Sequence, residues 1–409
     1  MEAASATQSL IPDHVPAELV QDVPWQRGLT TTGRPHDSAQ ALNGAPDVLP
    51  DIFFAPNTQL GPAWVLRRAE HCRQVWLDTE HFTNATATPF AKMAGGDWKM
   101  IPIEMDPPVH TQFRGLLNPL LGPKPMAALD GKVIQYAREY VAAFKDRGQC
   151  EFMSEFAFEF PIRIFLELMG LPLDKTAQFL KWERGLLYAR SPEEAQASVV
   201  AVVNYLRAEF AARRAAPGDD FIGQLLRAEI DGRKLDEDEL LGICFTLYVG
   251  GLDTVSAHLS LMVRHLADHP EDQAYLRANP DKVAGAVEEF MRAYGSAGGK
   301  RTCVKETRVG AVTIKPGDRV VYFAALSGRD PVEYDEPQEI RFDRGPKHVS
   351  FGYGPHLCIG MHLARREMRI ALETLLEMLP PFRIAPGMEV VSEMNGMMQP
   401  RALPLVWEV

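Results

Sequence analysis

The sequence lacks long uncharged apolar stretches and an excess of basic residues. No segment holds 18 or more apolar residues without charges, so we expect no transmembrane helix and no membrane anchor. The first residues, MEAASATQSL, contain neither a basic region nor an apolar run, so we also expect no signal peptide. The formal net charge of -11 offers no electrostatic footprint for nucleic acid. These absences favour an acidic protein that acts on something other than membranes or nucleic acids.

The cysteines are few and exclude several kinds of site. There are five, Cys72, Cys150, Cys244, Cys303 and Cys358, and no two have the Cys-x-x-Cys spacing of zinc or iron–sulfur sites. The odd number and irregular spacing argue against a disulfide framework, so we predict a reducing, cytoplasmic location. Isolated cysteines are usually small buried residues, which is our interpretation of the first four.

Apolar periodicity predicts a mainly helical chain with a small β region. Residues 128–276 carry apolar side chains three and four apart, and 240–266 predict one long central helix. Alternation over 301–326 predicts short strands, and a loop-rich segment follows. A last amphipathic helix is predicted over 359–379, before a possible strand in ALPLVWEV. No linker or repeat interrupts this pattern. We therefore predict a mobile segment over residues 1–15 and one domain over 16–409.

One cysteine lies where a glycine-rich loop meets the last predicted helix. The loop reads Phe351-Gly352-Tyr353-Gly354-Pro355-His356-Leu357-Cys358-Ile359-Gly360. Glycines permit tight turns and let backbone approach a flat ligand closely. A cysteine at the start of a helix has a lowered pKa, so its thiolate form is favoured. Nearby backbone N–H groups can tune a thiolate ligand. The loop is therefore suited to hold a metal through one sulfur.

The wider pattern resembles the cytochrome P-450 family. Phe351-Gly352-x-Gly354-x-His356-x-Cys358-x-Gly360 matches the family's haem-binding signature at every defined position. Further segments resemble its other motifs in the same order: Glu289-x-x-Arg292, Gly250-Gly251-x-Asp253-Thr254 and Arg329-Asp330-Pro331. GGLDTV, HLARRE, IAPG and ALPLVW are similar to the bacterial camphor-hydroxylase-like subfamily.

The resemblance implies a single triangular helical domain with a small β region around a buried haem b. It implies that Cys358 binds the iron and that Phe351, Gly352 and Gly360 shape the haem-binding loop. Four residues match the family's partners of the haem propionates: His110, Arg114, Arg301 and His356. His110 and Arg114 are four apart, so both can reach one carboxylate from a helix face. Relative to the camphor enzyme, Gly299 replaces an aspartate near a propionate.

The resemblance also implies a buried structural network of Glu289, Arg292 and Arg344, which supports the thiolate loop. On the residues alone, Glu289 and Arg292 are equally an exposed helix ion pair, worth about 0.3–0.5 kcal/mol.

The central helix carries two adjacent glycines in its middle. Gly250 and Gly251 each cost a helix about 1 kcal/mol relative to alanine, and glycine pairs are a cause of kinks. Asp253 and Thr254 follow, and an acid beside an alcohol can deliver the protons that oxygen activation needs. The plainer alternative is a surface acid and a helix-bending threonine.

The substrate side departs from the camphor enzyme. Trp98 stands where that enzyme uses a tyrosine to hydrogen-bond its substrate ketone, and indole is a bulkier donor. The candidate pocket residues, apolar or aromatic in the main, are Phe90, Trp98, Met100, Thr246, Val249, Ala297 and Met397. Several of them can equally be core residues. We expect a hydrophobic terpenoid or norisoprenoid-like substrate that is hydroxylated or epoxidised with O2.

Electrons must come from another protein, since the sequence has no flavin or iron–sulfur motif. The resemblance implies a two-iron two-sulfur ferredoxin with an NADH-dependent flavoprotein reductase, and a monomer is expected. Candidate docking residues are Arg73, Arg114 and Arg366. Two alternatives stay open: a peroxide-driven peroxygenase, whose members usually lack the acid–alcohol pair, and a non-enzymatic haem-based gas sensor.

Overall fold

The computed structural model describes residues 10–23, 30–32, 49–86, 88–394 and 397–409. Most of the predicted mobile segment, residues 1–9, therefore lies outside the described part. Within the remainder of that segment, His14 contacts the carboxylate of Asp318 at 2.9 Å.

Helices dominate the described residues, as the periodicity predicts. In chain order they are α1 (Ala69–Leu77), α2 (Phe90–Met93), α3 (Val109–Leu117), α4 (Pro123–Ala127), α5 (Asp130–Phe144), α6 (Glu159–Met169), α7 (Thr176–Leu187), α8 (Pro192–Arg214), α9 (Phe221–Arg227), α10 (Glu237–Gly251), α11 (Asp253–Asp268), α12 (Pro270–Ala278), α13 (Val283–Ala293), α14 (Ala324–Ser327) and α15 (Met361–Met378).

The strands are short and form several small sheets. They are β1 (Thr30–Thr31), β2 (Ile52–Ala55), β3 (Ala63–Leu66), β4 (Phe82–Thr83), β5 (Gln149–Glu151), β6 (Glu229–Ile230), β7 (Arg233–Lys234), β8 (Gly298–Cys303), β9 (Thr307–Val309), β10 (Val312–Ile314), β11 (Arg319–Phe323), β12 (Phe382–Ile384), β13 (Ser392–Met394), β14 (Met398–Pro400) and β15 (Pro404–Trp407). The prediction of a mainly α fold with a small β region is confirmed.

The contacts divide the chain into two compact units, each assembled from separate segments. The first unit comprises the described parts of Met1–Asn84, Ala284–Cys358 and Glu389–Arg401. The second unit comprises the described parts of Ala85–Val283, with Ile359–Met388 and Ala402–Val409. The single domain expected over residues 16–409 stays a prediction.

The first unit is built on a five-stranded sheet in the order β2-β3-β11-β8-β4. Strands β3 and β11 pair in parallel, and the other neighbours are antiparallel. Side chains alternate between two buried faces, since Val320 and Tyr322 pack in one cluster and Val321 and Phe323 in another. The alternating segment recognised in the sequence therefore forms β8 to β11 of this unit.

The second unit is helical, and α10 and α11 run through its core. Asp236 caps α10 in a capping box with Glu239, because each side chain accepts a hydrogen bond from the other's backbone N–H. One long helix with a kink at its glycine pair was predicted here, and the structure interrupts the helix at Leu252. The stretch from Glu237 to Asp268 is long and apolar enough to cross a membrane, yet 67% of its most apolar window is buried inside the protein. Burial of this kind is typical of a core helix.

The other predicted boundaries shift by a few residues. Helix α11 stops at Asp268, and Pro270 opens α12. The last helix covers Met361–Met378 within the predicted 359–379. The C-terminal strand β15 forms and pairs with both β12 and β5.

Candidate active site

The predicted thiolate loop is a tightly hydrogen-bonded turn in which glycine is required. The backbone N–H of Cys358 donates to the carbonyl of Phe351 at 2.8 Å, and Gly352 donates to Val349 at 2.8 Å. Gly352 and Gly354 have φ angles of +75° and +67°. A Cβ on Gly354 would lie 2.6 Å from the Trp76 carbonyl oxygen of α1. Larger residues are therefore disfavoured by conformation at Gly352, and by both conformation and space at Gly354.

Cys358 differs from the other four cysteines in exposure. Its side chain is half-buried, whereas Cys72, Cys150, Cys244 and Cys303 are buried, as predicted. Burial raises the pKa of all four of these thiols, that of Cys150 to about 12, so they stay protonated at neutral pH. Among the five cysteines, all of which lie in the described part of the chain, Cys358 is the one suited to act as a thiolate ligand.

Two propionate candidates lie in the first unit. Arg301, on β8, is buried, donates to the side-chain oxygen of Asn84 at 2.8 Å and stacks 4.5 Å over the ring of Trp76. His356 is half-buried in the short helical turn Gly354–His356. Trp76 and Tyr322 also explain Gly299, because a Cβ there would lie 2.8 Å and 2.6 Å from their rings.

The predicted network of Glu289, Arg292 and Arg344 is assembled in the first unit. Arg292 donates to both carboxylate oxygens of Glu289, at 2.8 and 2.7 Å, and both side chains are fully buried. Arg344 donates to Glu289 at 3.1 Å. Burial would raise the pKa of Glu289, but the hydrogen bonds and charge of Arg292 outweigh it and hold that pKa low. The pair is therefore not the exposed ion pair that the residues alone allow.

This network fixes the backbone that leads to the thiolate loop. Arg292 also donates to the carbonyls of Gly328, Pro337 and Glu339, at 2.6, 2.8 and 2.9 Å. The hydroxyl of Ser350, next to the loop, donates to the carbonyl of Met291 on α13 at 2.6 Å. Helix α13 thus holds the segment before the thiolate loop at several points.

In the second unit, the junction between α10 and α11 carries the predicted acid–alcohol pair. The hydroxyl of Thr254 donates to the carbonyl of Gly250 at 2.7 Å. A Cβ on Gly250 or Gly251 would meet no atom within 4 Å, so the backbone there borders open space. Thr246, Gly250 and Thr254 follow each other at intervals of four, and the two threonines are half-buried while Gly250 is exposed. They form one uncovered stripe along the helix break.

The side chain of Asp253 does not belong to this stripe and lies in the protein interior. It is buried and accepts a 2.6 Å hydrogen bond from the hydroxyl of Tyr188, at the end of α7. Glu183, also buried, belongs to α7, and its pKa is raised to about 8 by burial and by the charge of Asp253. Tyr188 and Glu183 were not predicted from the sequence, because no local motif marks them. Asp253 is thus not the surface acid of the plainer alternative.

The other predicted pair, His110 and Arg114, lies one turn apart on α3. His110 is buried and Arg114 is half-buried, so the helix presents both from its inner side.

The candidate pocket residues fall in both units. In the second unit, the ring of Phe245 lies 4.9 Å from Trp98 and 5.6 Å from Phe90. The buried indole N–H of Trp98 has no hydrogen-bond partner among the described residues. The remaining candidates of that unit are Met100, which is buried, and Thr246 and Val249, which are half-buried. Those of the first unit are Ala297 and Met397.

Glu104, which was not predicted from the sequence, fixes the backbone around Trp98. Glu104 is buried, and its carboxylate accepts hydrogen bonds from the backbone N–H groups of Met100, at 2.8 Å, and of Thr88. It therefore fixes the chain on either side of Trp98.

The candidate docking arginines are largely engaged with acids. Arg73 makes two hydrogen bonds with Glu333, at 3.2 and 2.6 Å. Arg366 donates to Asp130 at 2.6 Å. These pairs lower the local positive charge that an acidic partner would meet.

The residues in each unit fit a haem. In the first unit, the half-buried thiol of Cys358 lies on a glycine turn, and the same unit holds Arg301 and His356, a cation and an N–H donor for carboxylates. In the second unit, His110 and Arg114 supply further donors, and the glycine stripe of α10 admits a flat or small ligand. The donor set is the one that haem-thiolate ligation requires.

Comparisons with known proteins agree with this reading. The family model described as Cytochrome P450 matches residues 188–402. The chain is 37% identical to probable cytochrome P450 127A1 of Sinorhizobium fredii, over 92% of each chain. It is 33% identical to the cytochrome P450 monooxygenase PikC of Streptomyces venezuelae, over 84% of this chain and 85% of that one.

Among solved structures, the chain is similar to cytochrome P450 CYP101C1, with a TM-score of 0.86 and 32% identity over 98% of this chain and 100% of that one. Fold, sequence relatives and matched family model agree: the chain belongs to the cytochrome P450 family and is a haem-binding monooxygenase.

Proposed function

We propose that this monooxygenase hydroxylates or epoxidises a hydrophobic terpenoid or norisoprenoid-like molecule in the cytoplasm. Its electrons come from a two-iron two-sulfur ferredoxin, which an NADH-dependent flavoprotein reductase reduces. The observation that carries the proposal is the junction at Leu252, where Thr254 faces the open glycine stripe and Asp253 is buried behind it. An acid and an alcohol so arranged can pass protons from the protein to the stripe.

In this proposal Cys358 would supply the thiolate that binds the haem iron, while Phe351, Gly352 and Gly360 would shape its loop. His110, Arg114, Arg301 and His356 bind the two propionates, and Glu289, Arg292 and Arg344 hold the loop in place. When bound, the haem supplies the activation of dioxygen. The hydroxyl of Thr254 holds a proton where the reaction consumes it, and Asp253 replenishes that proton.

The substrate class rests on the aromatic cluster of the second unit. Phe90, Trp98 and Phe245 offer apolar contact, which suits a compact hydrophobic molecule. A buried donor without a partner costs about 1–3 kcal/mol, so the Trp98 indole N–H favours a ligand that carries one acceptor oxygen. We therefore expect a terpenoid ketone or ether in preference to a pure hydrocarbon.

One assay tests the proposal against its alternatives. The holoenzyme is first screened for compounds that convert ferric haem from low to high spin. The best compound is then incubated with NADH, reductase and ferredoxin, or with hydrogen peroxide alone. Product from the NADH system supports the proposal. Product from peroxide only makes the protein a peroxygenase, and no product from either, with tight binding of a diatomic gas, supports a sensor.

A further inference from the structure

Asp253 has a hydrogen-bond partner just past the end of helix α7, 65 residues away in sequence. The hydroxyl of Tyr188 donates to its Oδ1 at 2.6 Å. Tyr188 is the residue that follows the last turn of α7, and it is half-exposed, whereas Asp253 is buried. A tyrosine hydroxyl both donates and accepts, so it can relay a proton between water and a buried carboxylate.

Glu183 lies on the same helix and brings a second carboxyl to this region. It is buried, and the desolvation together with the charge of Asp253 raises its pKa to about 8. Two carboxyl groups that repel each other in a buried place do not both ionise readily, so a single proton shared by the two is favoured at neutral pH. Such a proton is stored inside the protein and is available without direct entry of water.

The charges that face Glu183 do not cancel this effect. Arg184 lowers its pKa, but its guanidinium is exposed and lies 4.7 Å from the ring of Phe158 and 5.6 Å from that of Tyr188. From α10, Tyr248 is neutral, since burial and then Glu183 raise its pKa, and its hydroxyl donates to the carbonyl of Phe179. No cation of the described residues forms a salt bridge with Glu183 of the kind that fixes Glu289.

We propose that Glu183 and Tyr188 control the proton on Asp253. Glu183 is the protonated member of a two-carboxyl store, and Tyr188 connects that store to solvent. The stored proton passes from the Glu183 carboxyl to the Asp253 carboxylate and from there towards Thr254, which leaves both carboxyl groups ionised. A proton from water, relayed through the Tyr188 hydroxyl, then restores the pair, so no net charge accumulates. This inference rests on the proposed role of Asp253 in proton delivery.

Whether Glu183 and Asp253 share a proton is tested by a measurement that does not require turnover. Infrared difference spectra of the ferric holoenzyme between pH 6 and pH 10 should show a protonated carboxyl band that disappears near pH 8. Glu183→Gln should remove the band. Asp253→Asn should shift its disappearance to lower pH, because the charge that raises the Glu183 pKa is gone. A band that Glu183→Gln leaves unchanged, or that Asp253→Asn does not shift, overturns the pairing.

The role of the Glu183–Asp253 pair in catalysis is tested by turnover with NADH, reductase and ferredoxin. General acid–base groups contribute roughly 10²–10⁴-fold, so Glu183→Gln, which acts through Asp253, should slow product formation by at least about tenfold. The parent rate should fall as pH rises through 8, and the variant's should not. Tyr188→Phe should slow turnover and enlarge the solvent isotope effect.

The matched control is Tyr140→Phe, which removes another tyrosine–carboxylate hydrogen bond, that with Glu159 at 3.1 Å, and should leave the rate unchanged. Unaltered rates and pH profiles in Glu183→Gln and Tyr188→Phe overturn the proposal. If the parent itself forms no product with ferredoxin, the proposed function fails, and the infrared titration still decides whether the two carboxyls share a proton.

Discussion

The hydroxyl of Thr254 donates a 2.7 Å hydrogen bond to the carbonyl oxygen of Gly250, across the break between α10 and α11. This bond satisfies a carbonyl at the interrupted helix and orients the hydroxyl along the uncovered stripe. A backbone break, which costs stability, thereby places a proton donor beside open space. The position of the Thr254 hydroxyl is therefore better explained by a role in proton transfer than by a role in helix packing.

Replacing Thr254 by alanine should uncouple electron use from product formation. Without the Thr254 hydroxyl, no side chain directs protons to the position where product formation needs them. More of the reduced oxygen is then released as hydrogen peroxide. We expect Thr254→Ala to retain haem, substrate binding and NADH oxidation while peroxide replaces most of the product. Thr254→Ser keeps a hydroxyl and is the control. Counting NADH, peroxide and product in one assay decides the matter, and full coupling in Thr254→Ala would leave this threonine a purely structural residue.

Glu289→Gln should destabilise the holoenzyme far more than a similar change at the surface. The substitution leaves Arg292 charged and buried without its counter-ion, which typically costs about 3–5 kcal/mol. The control Glu377→Gln removes the exposed pair with Arg138 and should cost less than about 1 kcal/mol. Thermal unfolding and the rate of haem loss are measured for both. Equal effects of the two substitutions would contradict a structural role for the network.

The buried Glu183 should make stability depend on pH. Its pKa is about 8 in the folded protein against an ordinary 4.5, so the native state binds the extra proton between these values. The stabilisation is therefore complete below pH 4.5 and is lost as pH rises through 8. We expect the Tm of the parent to fall relative to that of Glu183→Gln between pH 5 and pH 8.5. A constant difference in Tm across this window would show that Glu183 titrates normally.

Camphor should be a poor ligand. We predict that Trp98 takes the position of the camphor enzyme's ketone-binding tyrosine, and its indole is larger and packs edge-on against Phe245 at 4.9 Å. We expect camphor to shift the spin state incompletely, and a larger terpenoid ketone or ether to shift it further. Trp98→Phe, which removes the N–H donor together with part of the ring, should weaken the oxygenated ligand more than its hydrocarbon analogue. Complete conversion by camphor at low concentration would contradict this account of the pocket.

Features that depend on local spacing could be predicted from the sequence. The loop from Phe351 to Gly360 and the pair Glu289 and Arg292 are marked by short, fixed intervals, and helical periodicity indicated the mainly α fold. Contacts between distant residues left no such mark. Tyr188 reaches Asp253 across 65 positions, and Arg73 meets Glu333 across 260. The break at Leu252 was predicted only as a kink, because apolar periodicity continues on both sides of it.

The central claim, that Cys358 carries the iron, is tested most directly by the spectrum of the reduced carbon-monoxide complex. We expect the parent to show the red-shifted Soret band of thiolate ligation. Cys358→His should move this band to the position of imidazole-ligated haem, while Cys303→Ala, a change at a buried cysteine, should not move it. A thiolate spectrum that persists in Cys358→His would contradict the assignment.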